Sequence, residues 1–444
     1  MNSLQPVVHP LVNDFLEQRR AIEWLTSFGS PLNIVFPQIA AASAKEWQQT
    51  LRQVYRKVDI RFALKCCKSS ALLNTFAFHS IGADCSSSNE TLKAIENAVA
   101  PSRISLTGAH KTDREYRMAI ALGVAIHVDA PDTGVRLIEL SRDLGIPPNV
   151  VLRFRPTGQT ESRFGMNKDD VLQTARELAA WGCELNGVAF HLNGYGIQER
   201  IDASIESLQI IALLHAEGLP CRSLDIGGGF PVNYLLDRDF EENLPAMPRW
   251  RDRAMPVTYP YHNDLAGSAA AEAILKGIFA DEGASEIIHA LDLHVILQPG
   301  RALVDQSGVS AFSVVGRKRT AVDLSVLALD GMNFSMSERW FGSDFLPSPL
   351  LLTPDGYYES LHSEYILAGN SCLEDDLIRQ LPVGYAVSPT TGNAVVFVNT
   401  AGYQMDSNES EFHQRRLPRK VAAVSHGGRW TAILDEEFIW RSQE

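Results

Sequence analysis

A lysine at the end of a short apolar run is the residue whose type and position most suggest chemistry. The run 58–64 has the composition of a β-strand, and Lys65 follows it directly. A lysine held against apolar neighbours loses part of its preference for the charged form, so its amine can act as a nucleophile and form a Schiff base. Taken alone, the same pattern also fits an ordinary solvated lysine at a strand end.

Residues that follow other apolar runs could complete a site around such a lysine. Three glycines, Gly227, Gly228 and Gly229, would let the backbone approach a phosphate. Arg301 could add a bidentate contact to the same anion, and His191 could stack on a flat ring. Each has a plain alternative, namely a tight turn, a surface arginine and a structural histidine. Together with a Schiff-base lysine, they match one cofactor, pyridoxal 5'-phosphate.

The spacing of the apolar runs predicts an α/β architecture that would bring these residues together. Strand-like runs occur at 58–65, 81–86, 103–107, 124–128, 149–155, 187–191, 222–226 and 293–297. Helical patterns lie between most of them, which predicts a parallel (β/α)8 barrel whose strand ends form the mouth of the site. The long last interval includes an irregular, proline-rich excursion at 233–263.

The pattern changes after Arg301. Segments such as 308–315 and 394–398 alternate like antiparallel strands, with glycine and proline turns between them. We therefore predict a cofactor-binding barrel over 38–300 and a second, mostly antiparallel β domain formed by 1–37 plus 301–444. The early strand at 32–36 is assigned to this β domain.

The composition limits the classes of protein to which the chain can belong. It has 444 residues, 45% of them hydrophobic and 21% charged, as in a soluble globular protein. A net charge of −13 without a basic run argues against nucleic acid or an anionic membrane as partner. Residues 1–20 contain no apolar signal core, and no stretch reaches the length of a membrane span. Six cysteines without zinc-like spacing favour reduced thiols in the cytoplasm and no metal site.

The order and spacing of these motifs resemble the fold-type III pyridoxal-phosphate decarboxylases of basic amino acids. This group holds the ornithine and diaminopimelate decarboxylases, and the resemblance implies its alanine racemase-like barrel. It extends from about residue 31 to about residue 420. The motifs that carry it are Ala63–Cys66, Asp84–Ser87 with Glu90, Arg153, His191, Gly227–Pro231, Pro299–Arg301, Ser371–Cys372 with Asp376, and Ala401–Tyr403.

The resemblance implies a role for each of these positions. Lys65 would carry the cofactor as a Schiff base, and His191 would stack on its ring. The glycine triplet, Arg301 and Tyr403 would hold the phosphate. The remaining cofactor-binding positions would be Asp84, Arg153, Gln298 and Gly300.

The resemblance also implies that Cys372 reaches across a homodimer interface and protonates the substrate carbon in the partner's site. A thiol is a reasonable acid for such a step. An isolated cysteine is nevertheless more often a small, buried apolar residue.

Three positions depart from the family pattern. The family places a carboxylate directly after the cysteine to hold the distal amino group of the substrate, whereas this chain has Leu373, followed by Glu374 and Asp375. The serine expected after His-x-Gly is absent. Gln298 replaces the glutamate that pairs with the pyridine nitrogen, which predicts a weaker electron sink.

We therefore predict a homodimeric decarboxylase of an amino acid or amino-acid derivative. An amino-acid racemase on the same fold is one alternative, but it would need a lysine and typically a tyrosine on opposite sides of the substrate carbon, where this chain has a cysteine. A regulatory or binding relative without turnover is a second, and the retention of Lys65, His191, Arg301 and Cys372 argues against it. A lysine-dependent aldolase barrel is a third, although its chemistry requires neither Tyr403 nor a second domain.

Overall fold

The computed structural model describes residues 4–240, 259–336, 339–340, 343–406 and 410–441. The chain begins with two short helices and a strand, which are α1 (Pro10–Glu17), α2 (Arg20–Phe28) and β1 (Leu32–Val35). Residues 241–258, the middle of the excursion predicted at 233–263, lie outside the described part of the chain.

Eight parallel strands then close into a barrel within the described residues. Each strand pairs with the next one along the chain, and the last pairs with the first. The strands are β2 (Val58–Ala63), β3 (Gly82–Cys85), β4 (Ile104–Leu106), β5 (Ala125–Val128), β6 (Asn149–Arg153), β7 (Glu184–Ala189), β8 (Ser223–Asp225) and β9 (His294–Leu297). Every predicted barrel strand overlaps an observed one, so the predicted fold is confirmed.

Helices surround the barrel and connect its strands. They are α3 (Pro37–Val54), α4 (Ser70–Phe78), α5 (Ser88–Glu96), α6 (Asp113–Leu122), α7 (Pro131–Leu144), α8 (Lys168–Ala180), α9 (Ile197–Ala216), α10 (Gly267–Ala280) and α11 (Glu282–Ala290). The ends of α6 show why the sequence folds this way. Thr112 and Glu115 form a reciprocal capping box at its start, and Gly123 ends it in the left-handed conformation with φ of 70°.

The rest of the chain is mostly β-structure. Its strands are β10 (Gly308–Arg319), β11 (Ser325–Leu329), β12 (Arg339–Trp340), β13 (Ser343–Asp344), β14 (Leu350–Thr353), β15 (Gly356–Tyr358), β16 (Ser360–Ala368), β17 (Leu377–Tyr385), β18 (Ala394–Val398), β19 (Arg419–His426) and β20 (Arg429–Leu434). All of these except the β12–β13 pair join one sheet together with β1, in the described residues. The sheet is antiparallel except where β1 meets β19 and β11 meets β16.

Strand β1 lies inside this sheet. It pairs with β10 on one side and with β19 on the other, although more than 270 residues separate it from either in the sequence. Because α3 starts the barrel two residues after β1 ends, these pairings support the division that we propose, 38–300 for the barrel and 1–37 plus 301–444 for the β domain.

The β domain holds the barrel segment that follows β2 through hydrogen bonds to two carboxylates. The carboxylate of Asp406 accepts a hydrogen bond from the backbone N–H of Lys68 at 2.8 Å and binds the amine of Lys420. Asp435 accepts from the backbone N–H of Ser70 at 2.8 Å, at the start of α4. The segment that follows the Lys65 turn is therefore held by two carboxylates of the β domain. Among the described helices, none combines the length and the apolarity needed to cross a membrane.

Candidate active site at the barrel mouth

Lys65 lies in a 3-10 turn, Leu64–Cys66, at the C-terminal end of β2. Leu64 and Cys66 are buried, whereas the Lys65 side chain is exposed. The turn is fixed from the β domain, because the backbone N–H of Tyr403 donates to the carbonyl of Cys66 at 2.8 Å. Below it, the rings of Phe62 and Phe76 pack 4.9 Å apart, and burying each such ring stabilises the fold by about 1.5–3 kcal/mol. The amine is thus presented to the mouth from a rigid base.

Asp84 is the last residue but one of β3, the strand beside β2, and is paired in register with Ala63. It is only 6% exposed, and its Oδ1 atom has no hydrogen-bond partner among the described residues. Burial raises the pKa of Asp84 to about 7, although the nearby Lys65 charge acts in the opposite direction. The mouth therefore contains a carboxyl group that can carry a proton near neutral pH and has an acceptor atom to spare.

A second buried carboxylate, Asp225, ends β8. Its Oδ1 accepts the backbone N–H of Gly227 at 2.9 Å, and its Oδ2 accepts from Nε2 of Gln298 at 2.8 Å. Nε2 of His127 lies 3.8 Å from the same Oδ2. Burial raises the pKa of Asp225 to about 6 and holds the pKa of His127 well below its ordinary value. The amide of Gln298 is therefore engaged with Asp225, a partner that the sequence analysis did not identify.

The three glycines form a loop that passes against neighbouring backbone. Gly227 and Gly229 have φ of +68° and +91°, values that side chains other than glycine rarely adopt. A Cβ added to Gly228 would lie 2.5 Å from the carbonyl oxygen of Gln298. The N–H of Gly228 is directed at Nδ1 of His191 at 3.4 Å, which is a weak contact. Only glycine fits this loop, as a phosphate-binding cradle requires.

His191 is held as a neutral ring. Burial, supported by the positive charges of Lys65 and Arg153, keeps the pKa of His191 well below its ordinary value. Arg153 itself ends β6, and its guanidinium binds Asp129 at 2.9 Å and lies 4.4 Å from the ring centre of Phe164. A neutral imidazole beside the lysine is suited to stack on an aromatic ring.

Arg301 is enclosed by aromatic rings. Its guanidinium carbon lies 4.3 Å from the ring centre of Tyr259 and 4.7 Å from that of Tyr403. Burial raises the pKa of the Tyr195 and Tyr234 hydroxyl groups, and the nearby Arg301 charge acts in the opposite direction, so both tyrosines lie near the guanidinium. None of the ion pairs within the described ranges includes Arg301. A guanidinium enclosed without a carboxylate partner is ready to bind an anion such as a phosphate.

Gly300 brings the end of β9 close to the lysine turn. A Cβ added at this position would lie 3.2 Å from the Cβ of Cys66. The alternative that Arg301 is a plain surface arginine is wrong, because the tyrosines enclose it.

All six cysteines are free thiols, and Cys372 alone among them is exposed.

Cys372 lies in the loop between β16 and β17, away from the barrel residues described above. The alternative that it is a buried apolar residue is wrong within the single chain, where it and the neighbouring Leu373, Glu374 and Asp375 are exposed. Its thiol lies 3.2 Å from Nε2 of His413.

Sequence reasoning named Tyr403 but missed Asp225, His413 and the other tyrosines around Arg301, which are Tyr195, Tyr234 and Tyr259. Asp225 carried a usable signal, since it stands at a strand end directly before the glycines. Tyr195 stands where the family pattern has a serine, so this departure keeps a hydroxyl group near the arginine. Tyr259 and His413 come from distant segments, and their positions depended on the tertiary fold.

Comparison with known proteins gives three findings. Residues 40–264 match the family model described as pyridoxal-dependent decarboxylase, pyridoxal binding domain. The chain is 30% identical over 441 residues to the uncharacterized protein y4yA of Sinorhizobium fredii, covering 95% of this chain and 94% of that protein. It is 26% identical over 426 residues to diaminopimelate decarboxylase of Deinococcus radiodurans, covering 94% and 96%.

A solved structure shares the fold. The crystal structure of diaminopimelate decarboxylase from M. jannaschii in co-complex with L-lysine aligns with a TM-score of 0.74 at 19% sequence identity. The alignment covers 93% of this chain and 91% of that one.

Proposed function

Since the chain belongs to the pyridoxal-dependent decarboxylase family, as a pyridoxal-phosphate-dependent carboxy-lyase, we propose that it decarboxylates an amino acid or amino-acid derivative using Lys65 and Cys372. The proposal rests on the arrangement of side chains at the barrel mouth. There an exposed lysine on a rigid turn lies beside the buried carboxyl group of Asp84.

The residues present fit pyridoxal phosphate. Arg301 is enclosed by tyrosines, and a bound phosphate would balance its charge. The backbone of Gly228 lies so close to the carbonyl oxygen of Gln298 that no side chain fits there. We assign the phosphate to the glycine triplet, Arg301 and Tyr403, and the covalent attachment to Nζ of Lys65. The further cofactor contacts in this proposal are Asp84, Arg153, His191, Gln298 and Gly300.

When bound, pyridoxal phosphate supplies an aromatic ring that takes up the electron pair left on a substrate carbon as carbon dioxide departs. The chain's own groups tune that capacity. Neutral His191 adds no positive charge to a stacked ring. Gln298 itself is neutral, and its amide donates a hydrogen bond to the carboxyl group of Asp225, so Asp225 is the acidic group behind Gln298 at this side of the mouth.

A second chain completes the site in this proposal. Cys372 is exposed on the loop between β16 and β17, and the family resemblance implies that this cysteine acts in the neighbouring subunit. We therefore place it in the mouth of the partner subunit of a homodimer, where its thiol donates a proton to the substrate carbon. General acids at such positions contribute about 10²- to 10⁴-fold to rate.

The residues beside Cys372 restrict the substrate. Leu373 cannot pair with a distal ammonium group, and leaving such a group unpaired in a buried site costs about 1–3 kcal/mol or more. We propose a bulkier or derivatised amino acid, or one whose distal group reaches Glu374 or Asp375. Both of these carboxylates are exposed on the same loop.

Mass spectrometry of reactions with a panel of amino acids and their derivatives tests this function. We expect loss of carbon dioxide from at least one compound, dependent on added pyridoxal phosphate and abolished by Lys65→Ala. Lys45→Ala, which removes an exposed lysine on the outer helix α3, is the matched control and should retain activity. Inversion of configuration without release of carbon dioxide would refute the decarboxylase and favour the racemase.

A further inference from the structure

Cys372 does not face solvent alone, because a histidine 41 residues further along the chain lies against its thiol. We propose that His413 is a positioning residue that holds the Cys372 thiol through Nε2 and passes a solvent proton to the sulfur after the thiol has given its own proton to the substrate carbon. This inference rests on the proposed function of Cys372 as the proton donor.

Two contacts converge on one atom of the histidine ring. Sγ of Cys372 lies 3.2 Å from Nε2 of His413, within hydrogen-bond distance for sulfur. The backbone N–H of Cys372 points to the same Nε2 at 3.5 Å. Because a backbone N–H can only donate, Nε2 is the acceptor in the neutral ring and the ring hydrogen sits on Nδ1. The thiol proton therefore has an acceptor already in place.

The cysteine loop is fixed by a buried carboxylate. Asp376 accepts the backbone N–H of Ser371 at 3.0 Å and that of Asn333 at 2.7 Å. A Cβ at Gly369 would lie 2.3 Å from Asp376, so the loop closes tightly around this carboxylate. Cys372 is thus held between Ser371 and Asp376, which are joined by this hydrogen bond.

The histidine is fixed to the same segment. Phe412, which precedes His413, packs edge-to-face on Phe334 with ring centres 5.9 Å apart. Phe334 directly follows Asn333, the residue that binds the carboxylate of the cysteine loop. Adjacent residues therefore position both members of the pair.

A second connection joins the two loops directly. Nη2 of Arg415 lies 3.5 Å from the carbonyl of Asn370, and its Nη1 lies 3.4 Å from Asp330. Asn370 in turn donates to Asp330 at 2.7 Å. The left-handed backbone of His413, with φ of 58°, is uncommon for a residue other than glycine and is sustained by these surroundings.

The proton transfers balance. The S–H bond of Cys372 breaks as its proton passes to the substrate carbon, leaving a thiolate. Neutral His413 takes up one proton from solvent at Nε2 and passes it to that thiolate. The thiol and the neutral ring are restored, and one solvent proton has been consumed for each proton given to the substrate carbon.

Alkylation of the thiol tests the pairing without turnover. Cys372 is the one exposed thiol among the six in the single chain, and in the proposed dimer it faces a mouth that admits a substrate. Iodoacetamide, which is smaller than an amino acid, should therefore label it selectively at neutral pH, as followed by intact-protein mass. His413→Gln keeps a polar side chain but cannot take up the proton, so we expect labelling to slow by about tenfold. Free imidazole should restore the rate in His413→Gly. His426→Gln, at an exposed histidine on β19, should label like the wild type.

The outcomes separate this inference from the proposed function. A wild-type thiol that labels no faster than the thiol of His413→Gln overturns the pairing. If Cys372→Ser abolishes decarboxylation in that case, the proton-donor role still stands. If labelling depends on His413 but Cys372→Ser remains fully active, the pair exists and the proposed donor role fails.

Discussion

Gln298→Glu places a second carboxylate against a buried one. In the wild type, Nε2 of Gln298 donates to Oδ2 of Asp225 at 2.8 Å. The charged form of Asp225 already lowers the unfolding free energy of the wild type, because burial raises the pKa of Asp225 from 3.8 to about 6. At about 1.4 kcal/mol per unit, this shift corresponds to about 3 kcal/mol. The folded state holds the proton more tightly than the unfolded state, so this penalty is absent below about pH 4 and complete above about pH 6.

The substitution removes a donor and adds a like charge. Loss of a hydrogen bond to a charged acceptor costs about 1.5–3 kcal/mol, and two charged carboxylates in contact repel each other further. We expect Gln298→Glu to lose about 3–5 kcal/mol of unfolding free energy at about pH 8, as for other buried pairs broken on one side. At about pH 5 the two carboxyl groups can share a proton, and the loss should shrink to about 1 kcal/mol.

Urea unfolding of wild type and variant at both pH values measures this difference. Gln49→Glu, on an exposed face of α3, is the control and should change stability little at either pH. Equal losses at the two pH values would show that Gln298 does not contact Asp225, and the electrostatic account of this side of the mouth would be wrong.

Three further predictions follow from the same geometry. Arg301→Met should weaken binding of pyridoxal phosphate by at least about tenfold in a fluorescence titration, since a charge-assisted contact is lost; unchanged affinity would contradict the phosphate assignment. Gly228→Ala should lower both cofactor affinity and stability, because its Cβ would lie 2.5 Å from a carbonyl oxygen, whereas Gly158→Ala has nothing within 4 Å and should be neutral. Mixing inactive Lys65→Ala and Cys372→Ala proteins should restore activity through heterodimers; no recovery with proven subunit exchange would place the site within one chain.

The sequence predicted the architecture because its signals are local. The eight barrel strands are short apolar runs between amphipathic helices, and each overlaps an observed strand. Lys65, Gly227 and Arg301 were found as candidates because each follows such a run, and the ends of parallel strands meet at one edge.

The remaining parts of the site depend on contacts that no local pattern records. In the sequence, Gln298 indicates only that the family's carboxylate is missing. In the fold its amide donates a hydrogen bond to Asp225, 73 residues earlier in the chain. His413 carries no motif, and the packing of Phe412 on Phe334 together with the contacts of Arg415 brings it to the thiol of Cys372. Pairings of this kind become visible only when the tertiary fold is known.

The central claim is that Nζ of Lys65 holds the cofactor. Reduction of the pyridoxal-phosphate-loaded protein with borohydride fixes the covalent link, and peptide mass mapping then locates it. We predict the label on the peptide that contains Lys65, and no label in Lys65→Ala. A label on Lys68 or Lys111 instead, or equal labelling of wild type and Lys65→Ala, would contradict the account.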